Sequence, residues 1–135
     1  MLERLARLEA NVSDLRAFRQ RHELAEVESD RELQWALRYG LLESIQTLID
    51  VSCHICVKYN LGNPETYTDC VTLLRRFGYL ADPLAERLLG MVGLRNLLVH
   101  EYARIDTQRL YRLLDSVGDL ASFAESVRST VRDDV

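Results

Sequence analysis

Two prolines and six glycines are all that 135 residues contain. That is too few of the turn-setting residues to punctuate a β-sandwich or barrel, and far from a collagen repeat. No apolar run approaches the ~18 residues that cross a bilayer. The opening Met1-Leu2-Glu3-Arg4 lacks a basic head followed by an apolar stretch. These absences predict a cytoplasmic protein with no membrane partner. A surplus of positive charge is missing too: 17 Lys and Arg face 21 Asp and Glu, for a net charge of −4. A surface-wide trap for polyanions is therefore excluded, and any nucleic acid must be held locally.

What is present is helical. Hydrophobic residues make up 47% and charged residues 28%, the balance of one ordinary globular domain over residues 1–135. Leu2, Leu5, Leu8, Val12, Leu15 and Phe18 recur at steps of three and four and predict a first helix over 2–19. Ser29 and Glu32 have capping-box spacing, and the stripe from Leu33 through Leu37, Leu41, Ile45, Leu48, Ser52 and Ile55 to Tyr59 predicts a long second helix. Asn60-Leu61-Gly62-Asn63-Pro64 ends it. A short helix over about 68–77 closes at Gly78. Asp82-Pro83 reads as a cap and first turn for a helix through Leu84, Leu88, Met91, Leu98 and Tyr102. Asp106 caps a last helix with Leu110, Leu114, Val117, Leu120, Ala124 and Val127 on its apolar face. The predicted fold is all-α, an antiparallel bundle of four main helices plus a short one.

Charge is distributed unevenly along this chain. Residues 71–112 hold Arg75, Arg76, Arg87, Arg95, Arg104, Arg109 and Arg112 against four acidic groups, while both flanking blocks are acidic. The guanidinium fork suits phosphate, and arginine also favours exposed helix faces; charge alone leaves both readings open. Cys53-His54-Ile55-Cys56 has CxxC spacing but lacks the second half of a zinc site. With Cys70 and His22 isolated in sequence, a metal or redox centre stands beside the plainer reading of buried small hydrophobes. Trp35 and the tyrosines are expected in the core or in grooves.

The densest chemistry is Arg95-Asn96-Leu97-Leu98-Val99-His100-Glu101-Tyr102. An anion clamp, an amide, a proton-transfer group and a phenol lie within eight positions. At about 100° per residue, Arg95 and Tyr102 share one helix face and Asn96 and His100 another, with Arg95 and His100 about 140° apart. One regular helix does not aim both at one small target. Either the helix end distorts or a second copy supplies part of the site.

The spacing Arg95, Asn96, His100, Tyr102 matches an R-N-x-x-x-H-x-Y signature, and on it the chain resembles the HEPN superfamily, specifically the HepT-like ribonuclease toxins of toxin–antitoxin modules. Trp35-Ala36-Leu37, Glu43, the run Gly62 to Tyr67, and Gly78 followed by Asp82-Pro83 are similar as well, so that the likeness covers roughly residues 30–123. The resemblance implies a homodimer whose cleft is built from Arg95 and His100 of both chains, with Asn96 beside them to hold the phosphate or the imidazole. It implies RNA cleavage with no metal and no cofactor, in which the 2′-hydroxyl attacks the adjacent phosphate. It further implies an antitoxin partner, a minimal nucleotidyltransferase that silences the toxin by attaching AMP to Tyr102. Two other readings stand beside this one: a non-catalytic nucleotide- or substrate-binding subunit of a nucleotidyltransferase, and a plain dimeric interaction bundle. Proton chemistry at His100 and an acceptor at Tyr102 are what a pure binder would not need.

Overall fold

The structure, a computed structural model, describes residues 1–100 and 106–131, apart from the side chain of His100. All regular elements among the described residues are helical: α1 (Leu2–Arg21), α2 (Leu24–Glu28), α3 (Arg31–Lys58), α4 (Tyr67–Arg76), α5 (Asp82–His100), α6 (Thr107–Arg112) and α7 (Gly118–Val131), with a 3-10 turn over Leu113–Ser116. The four long helices close a ring, in which α1 and α5 each pack against both α3 and α7. The short α4 lies against α3 and α5. On α1, Leu15 meets Gly40 of α3, while Arg4 and Arg7 border the same cleft as Thr47 and Asp50. Arg128 of α7 reaches Glu9, whereas Gly118 sits by Arg16. Both neighbours of α1 thus run antiparallel to it.

The apolar stripes explain the ring. Leu5, Leu8, Val12, Leu15 and Phe18 of α1 are buried, as are Leu37, Leu41, Ile45, Leu48 and Ile55 of α3 and Leu84, Leu88, Met91 and Leu98 of α5. Leu2, at the first position of its stripe, is 59% exposed. At ~25 cal/mol per Å² of apolar area removed from water, burial of these side chains is the main term favouring the bundle. The centre of α3 is apolar enough to cross a membrane by length and composition, yet 56% of that window is buried by the other helices. Its Ser44 and Thr47 hydroxyls donate to the carbonyls of Gly40 and Glu43, four residues back, which lets polar groups enter the core satisfied.

The helix ends correct several expectations by small steps. The cap of α3 is Asp30, not Ser29: Asp30 Oδ1 accepts from the N–H groups of Glu32 and Leu33 at 2.9 and 3.3 Å, because Ser29 still closes α2. The capping box lies instead at Thr66 and Asp69, which start α4. Asn60, at φ 53°, ends α3 in a Schellman turn in which Leu61 N–H donates to Cys56 O at 2.9 Å. Gly78, at φ 84°, ends α4 the same way, with Tyr79 N–H on Leu74 O. Asp82 sits inside the first turn of α5, and its carboxylate takes Arg75 Nε at 2.9 Å.

The last predicted helix is broken. Asp106 caps α6 through Gln108 N–H, but the chain tightens over Leu113–Ser116 before α7 begins at Gly118. Gly118 opens α7 beside α1, where a Cβ would stand 3.2 Å from the tip of Arg16. Trp35 and Tyr39 correct another expectation, being 55% and 66% exposed on α3. Arg31 covers the Trp35 ring at 4.9 Å.

Candidate functional site

Arg95 leaves α5 toward α3 and α4. Its Nε donates to Gln46 Oε1 at 3.0 Å, its Nη1 donates to Asn96 Oδ1 at 3.2 Å, and its guanidinium lies 5.2 Å from the centre of the Tyr67 ring. Gln46 is itself aligned, since its Nε2 donates to Asp50 Oδ1 one turn further along α3 at 2.9 Å. Three elements therefore hold one cation by two neutral carbonyl oxygens and an aromatic face. No carboxylate pairs with Arg95 among the described residues, and a guanidinium held by neutral partners suits an anion. Two other members of the basic block differ. Arg75 is bound between Asp82 and Glu86, and Arg87 lies on Asp119 at 3.0 Å; those two arginines are helix braces.

A cavity of about 660 Å³ adjoins the clamp. Asn96, Gly93 and Val92 of α5 line one side, Cys53 of α3 and Cys70 of α4 another, and the start of α4 at Thr66, Tyr67 and Thr68 a third. Asn96 thus faces two ways in function, bracing Arg95 and bordering the cavity. Beside the lining residues Glu65 and Thr66 is the α4 cap, where the Asp69 carboxylate accepts from the N–H groups of both. Those bonds, that from Glu65 N–H first, hold the Asp69 carboxyl below its ordinary range.

The cysteines divide: Cys56 is the buried small side chain of the plainer reading, whereas Cys53 is in a covalent tie that neither reading named. Cys53 and Cys70 form a disulfide with their Cα atoms 5.0 Å apart, and Cys56 is a buried free thiol. Burial pushes the Cys56 thiol up, and its Sγ donates to Cys70 O. The CxxC pair is therefore split: one sulfur faces α4 in a covalent tie and the other lies in the core. His22 is at the far end of α1, hydrogen-bonded to Glu26 at 2.8 Å. Among the described residues no three His, Cys, Asp or Glu side chains are grouped as ligands for a metal ion.

Of the site residues predicted from sequence, Arg95 and Asn96 are brought together. α5 continues regularly to His100, which keeps His100 four positions beyond Asn96. The His100 side chain lies outside the described residues, as do Tyr102 and Arg104 of the 101–105 segment. Sequence reasoning missed Gln46 and the role of Tyr67. The signal for the first was an amide four residues before Asp50 on one face of α3; the second had none, because only the tertiary path of α4 carries Tyr67 to Arg95.

Comparison with known proteins extends these observations over nearly the whole chain. The family model described as HepT-like, ribonuclease HepT-like, matches residues 8–127. The chain is 33% identical over 82 residues to a protein of Shewanella oneidensis named mRNA nuclease HepT, spanning 61% of this chain and 62% of that one. It is 35% identical over 66 residues to a tRNA nuclease HepT of Aphanizomenon flos-aquae, spanning 49% and 45%. The chain thus spans less than two thirds of the length of these relatives. Two solved structures share the fold. A tri-AMPylated Shewanella oneidensis HEPN toxin in complex with MNT antitoxin superposes with TM-score 0.84 at 23% identity, over 94% of this chain and 95% of that one. YutE, a cytosolic protein of Bacillus subtilis, superposes with TM-score 0.86 at 19% identity, over 98% and 89%.

Proposed function

The chain belongs to the HepT-like ribonuclease family, and on that premise we propose that it is a cytoplasmic endoribonuclease toxin whose site is Arg95, Asn96 and His100 at a homodimer cleft. The observation that carries the reading is the Arg95 clamp: a guanidinium fixed by Gln46, Asn96 and Tyr67 while its charge stays uncompensated among the described residues. Preorganised positive charge of this kind stabilises the extra negative charge of a pentacoordinate phosphorane.

The proposed reaction needs no metal. The ribose 2′-oxygen attacks the adjacent phosphorus as its proton passes to a base, the bond to the 5′-oxygen breaks, and a proton is returned to that leaving oxygen. The products are a 2′,3′-cyclic phosphate and a 5′-hydroxyl. His100 supplies the proton transfer, Arg95 binds the phosphoryl oxygens, and Asn96 holds the guanidinium in register. Control lies at Tyr102, where a nucleotidyltransferase antitoxin attaches AMP; phosphate charge two residues from His100 then repels an RNA backbone. The HEPN toxin complexed with its antitoxin lends support by fold alone.

The test is cleavage of RNA by purified protein in excess EDTA, with the ends identified by mass spectrometry. Cyclic phosphate ends are expected, and a 2′-deoxy substitution at the scissile nucleotide should abolish cutting there. His100→Ala should lose about 10²- to 10⁴-fold in rate while keeping its fold. Dependence on added magnesium or zinc would overturn the metal-free route. Retained nucleotide binding with no cleavage would favour the non-catalytic subunit.

A further inference from the structure

We propose that the cavity between α3, α4 and α5 is a nucleoside subsite, which takes the base and ribose next to the phosphate bound at Arg95. The inference rests on the ribonuclease reading and adds to it the part of the strand that the enzyme holds beside the scissile bond. Three observations carry it. Its volume of about 660 Å³ lies within the range of small-ligand sites and exceeds what a few waters occupy. Its lining combines apolar surface from Val57, Val92 and the Cys53–Cys70 bridge with the hydroxyls of Thr66 and Thr68 and the amide of Asn96. A heterocycle has that mixed character. Glu65 lines the cavity too, and among the described residues no cation does, so phosphate is directed out to Arg95 while the neutral base enters. Tyr67 borders the cavity and meets Arg95, which sets a stacking surface beside the anion clamp.

The third observation is Gly93. It lies mid-helix in α5, where glycine costs helix stability relative to alanine, it lines the cavity, and a Cβ there would meet nothing within 4 Å. The position is exposed, and a larger side chain there extends over the cavity wall.

Filling that space is the test. Gly93→Leu adds a side chain where there is room and improves helix propensity, so circular dichroism should show a melting temperature at or above that of the parent; Gly93→Ala gives a graded comparison. Adenosine and uridine, nucleosides without phosphate, report on the cavity independently of Arg95. Titrated in NMR, they should shift the amides of Thr68 and Gly93 in the parent and bind Gly93→Leu at least tenfold more weakly, with Gly93→Ala between. In cleavage assays the parent should prefer an RNA carrying the flanking base over the same strand with an abasic ribose there, by about 5- to 100-fold. That ratio should fall toward one in Gly93→Leu, mainly through KM. The subsite is overturned if parent and Gly93→Leu bind nucleosides alike, or if their ratios agree. It is also overturned if Gly93→Leu is a monomer where the parent is a dimer, since the cavity would then hold a second copy of the chain. A parent that cuts no RNA but binds nucleosides keeps the subsite and removes the ribonuclease reading.

Discussion

Gln46 Oε1 accepts a hydrogen bond from Arg95 Nε at 3.0 Å, across 49 residues of chain. Gln46 in turn is fixed by Asp50, so the direction of the guanidinium is set by a relay that begins on a different helix. An uncharged acceptor positions the cation without neutralising it. Glutamate in the same place would form an ion pair and compete with any phosphate.

That difference yields the first prediction. Gln46→Leu removes a hydrogen bond to a charged group, worth about 1.5–3 kcal/mol, and should lower kcat/KM for RNA about tenfold by loosening Arg95. Gln46→Glu should be worse although it retains an acceptor. Its binding should also depend less on salt, the slope of log K against log salt becoming shallower by about one as one cation is withdrawn from phosphate. Fluorescence binding at several salt concentrations reads both effects. Equal behaviour of the two variants would mean that the Arg95 charge is not used.

A composite site makes a second prediction. With Arg95 and His100 about 140° apart around one regular helix, the proposed cleft draws them from two chains. Light scattering at micromolar concentration should give twice the chain mass. Mixed Arg95→Ala and His100→Ala protein should recover part of the activity that each lacks. A monomer that cuts RNA would sink the shared cleft.

The Cys53–Cys70 bridge closes a loop with a sequence separation of 17, for which chain entropy gives about 3 kcal/mol of stabilisation. Cys70→Ser, or saturating reductant, should therefore lower the melting temperature by several degrees. Cys56→Ala, which removes a buried sulfur without cutting the tie, should do less. If reductant leaves the melting curve unchanged, the bridge does not form in solution.

Acid provides a separate handle on the α4 cap beside the cavity. The Asp69 carboxyl is held down by Glu65 N–H and then by Thr66, so the folded state binds its proton less readily than the unfolded chain. Its stabilisation is fully present above the unfolded value of about 3.9 and is lost as pH falls through the lower folded value. Asp69→Asn should accordingly melt below the parent at neutral pH, and the gap should narrow below about pH 4.

Much of this was legible in the sequence, because burial in a helical bundle imposes a period on the chain. The stripes of α1 and α5 and the αL stops at Asn60 and Gly78 follow from single-residue physics. What was not legible depended on partners far along the chain. Cys53 answers to Cys70 rather than to Cys56, and Arg95 finds its Nε acceptor on α3 and its aromatic face on α4. The Arg95-Asn96 pair was visible as chemistry, whereas its orientation by Gln46 and Tyr67 was not.

Tyr102 carries the last prediction, and it rests on the R-N-x-x-x-H-x-Y spacing together with the short distance in sequence to His100. Incubation with ATP and the cognate nucleotidyltransferase should add AMP-sized mass increments to the peptide holding Tyr102, with RNA cleavage falling in parallel. Tyr102→Phe retains the ring and removes only the acceptor oxygen. If the hydroxyl serves modification alone, that variant cuts RNA at the parent rate, resists the antitoxin, and is more toxic in cells that carry both genes. If the hydroxyl also contacts substrate, the rate without antitoxin falls as well, and that assay separates the two roles. Full inhibition of the parent with Tyr102 unmodified would assign silencing to physical occlusion of the cleft, and the tyrosine switch would be wrong.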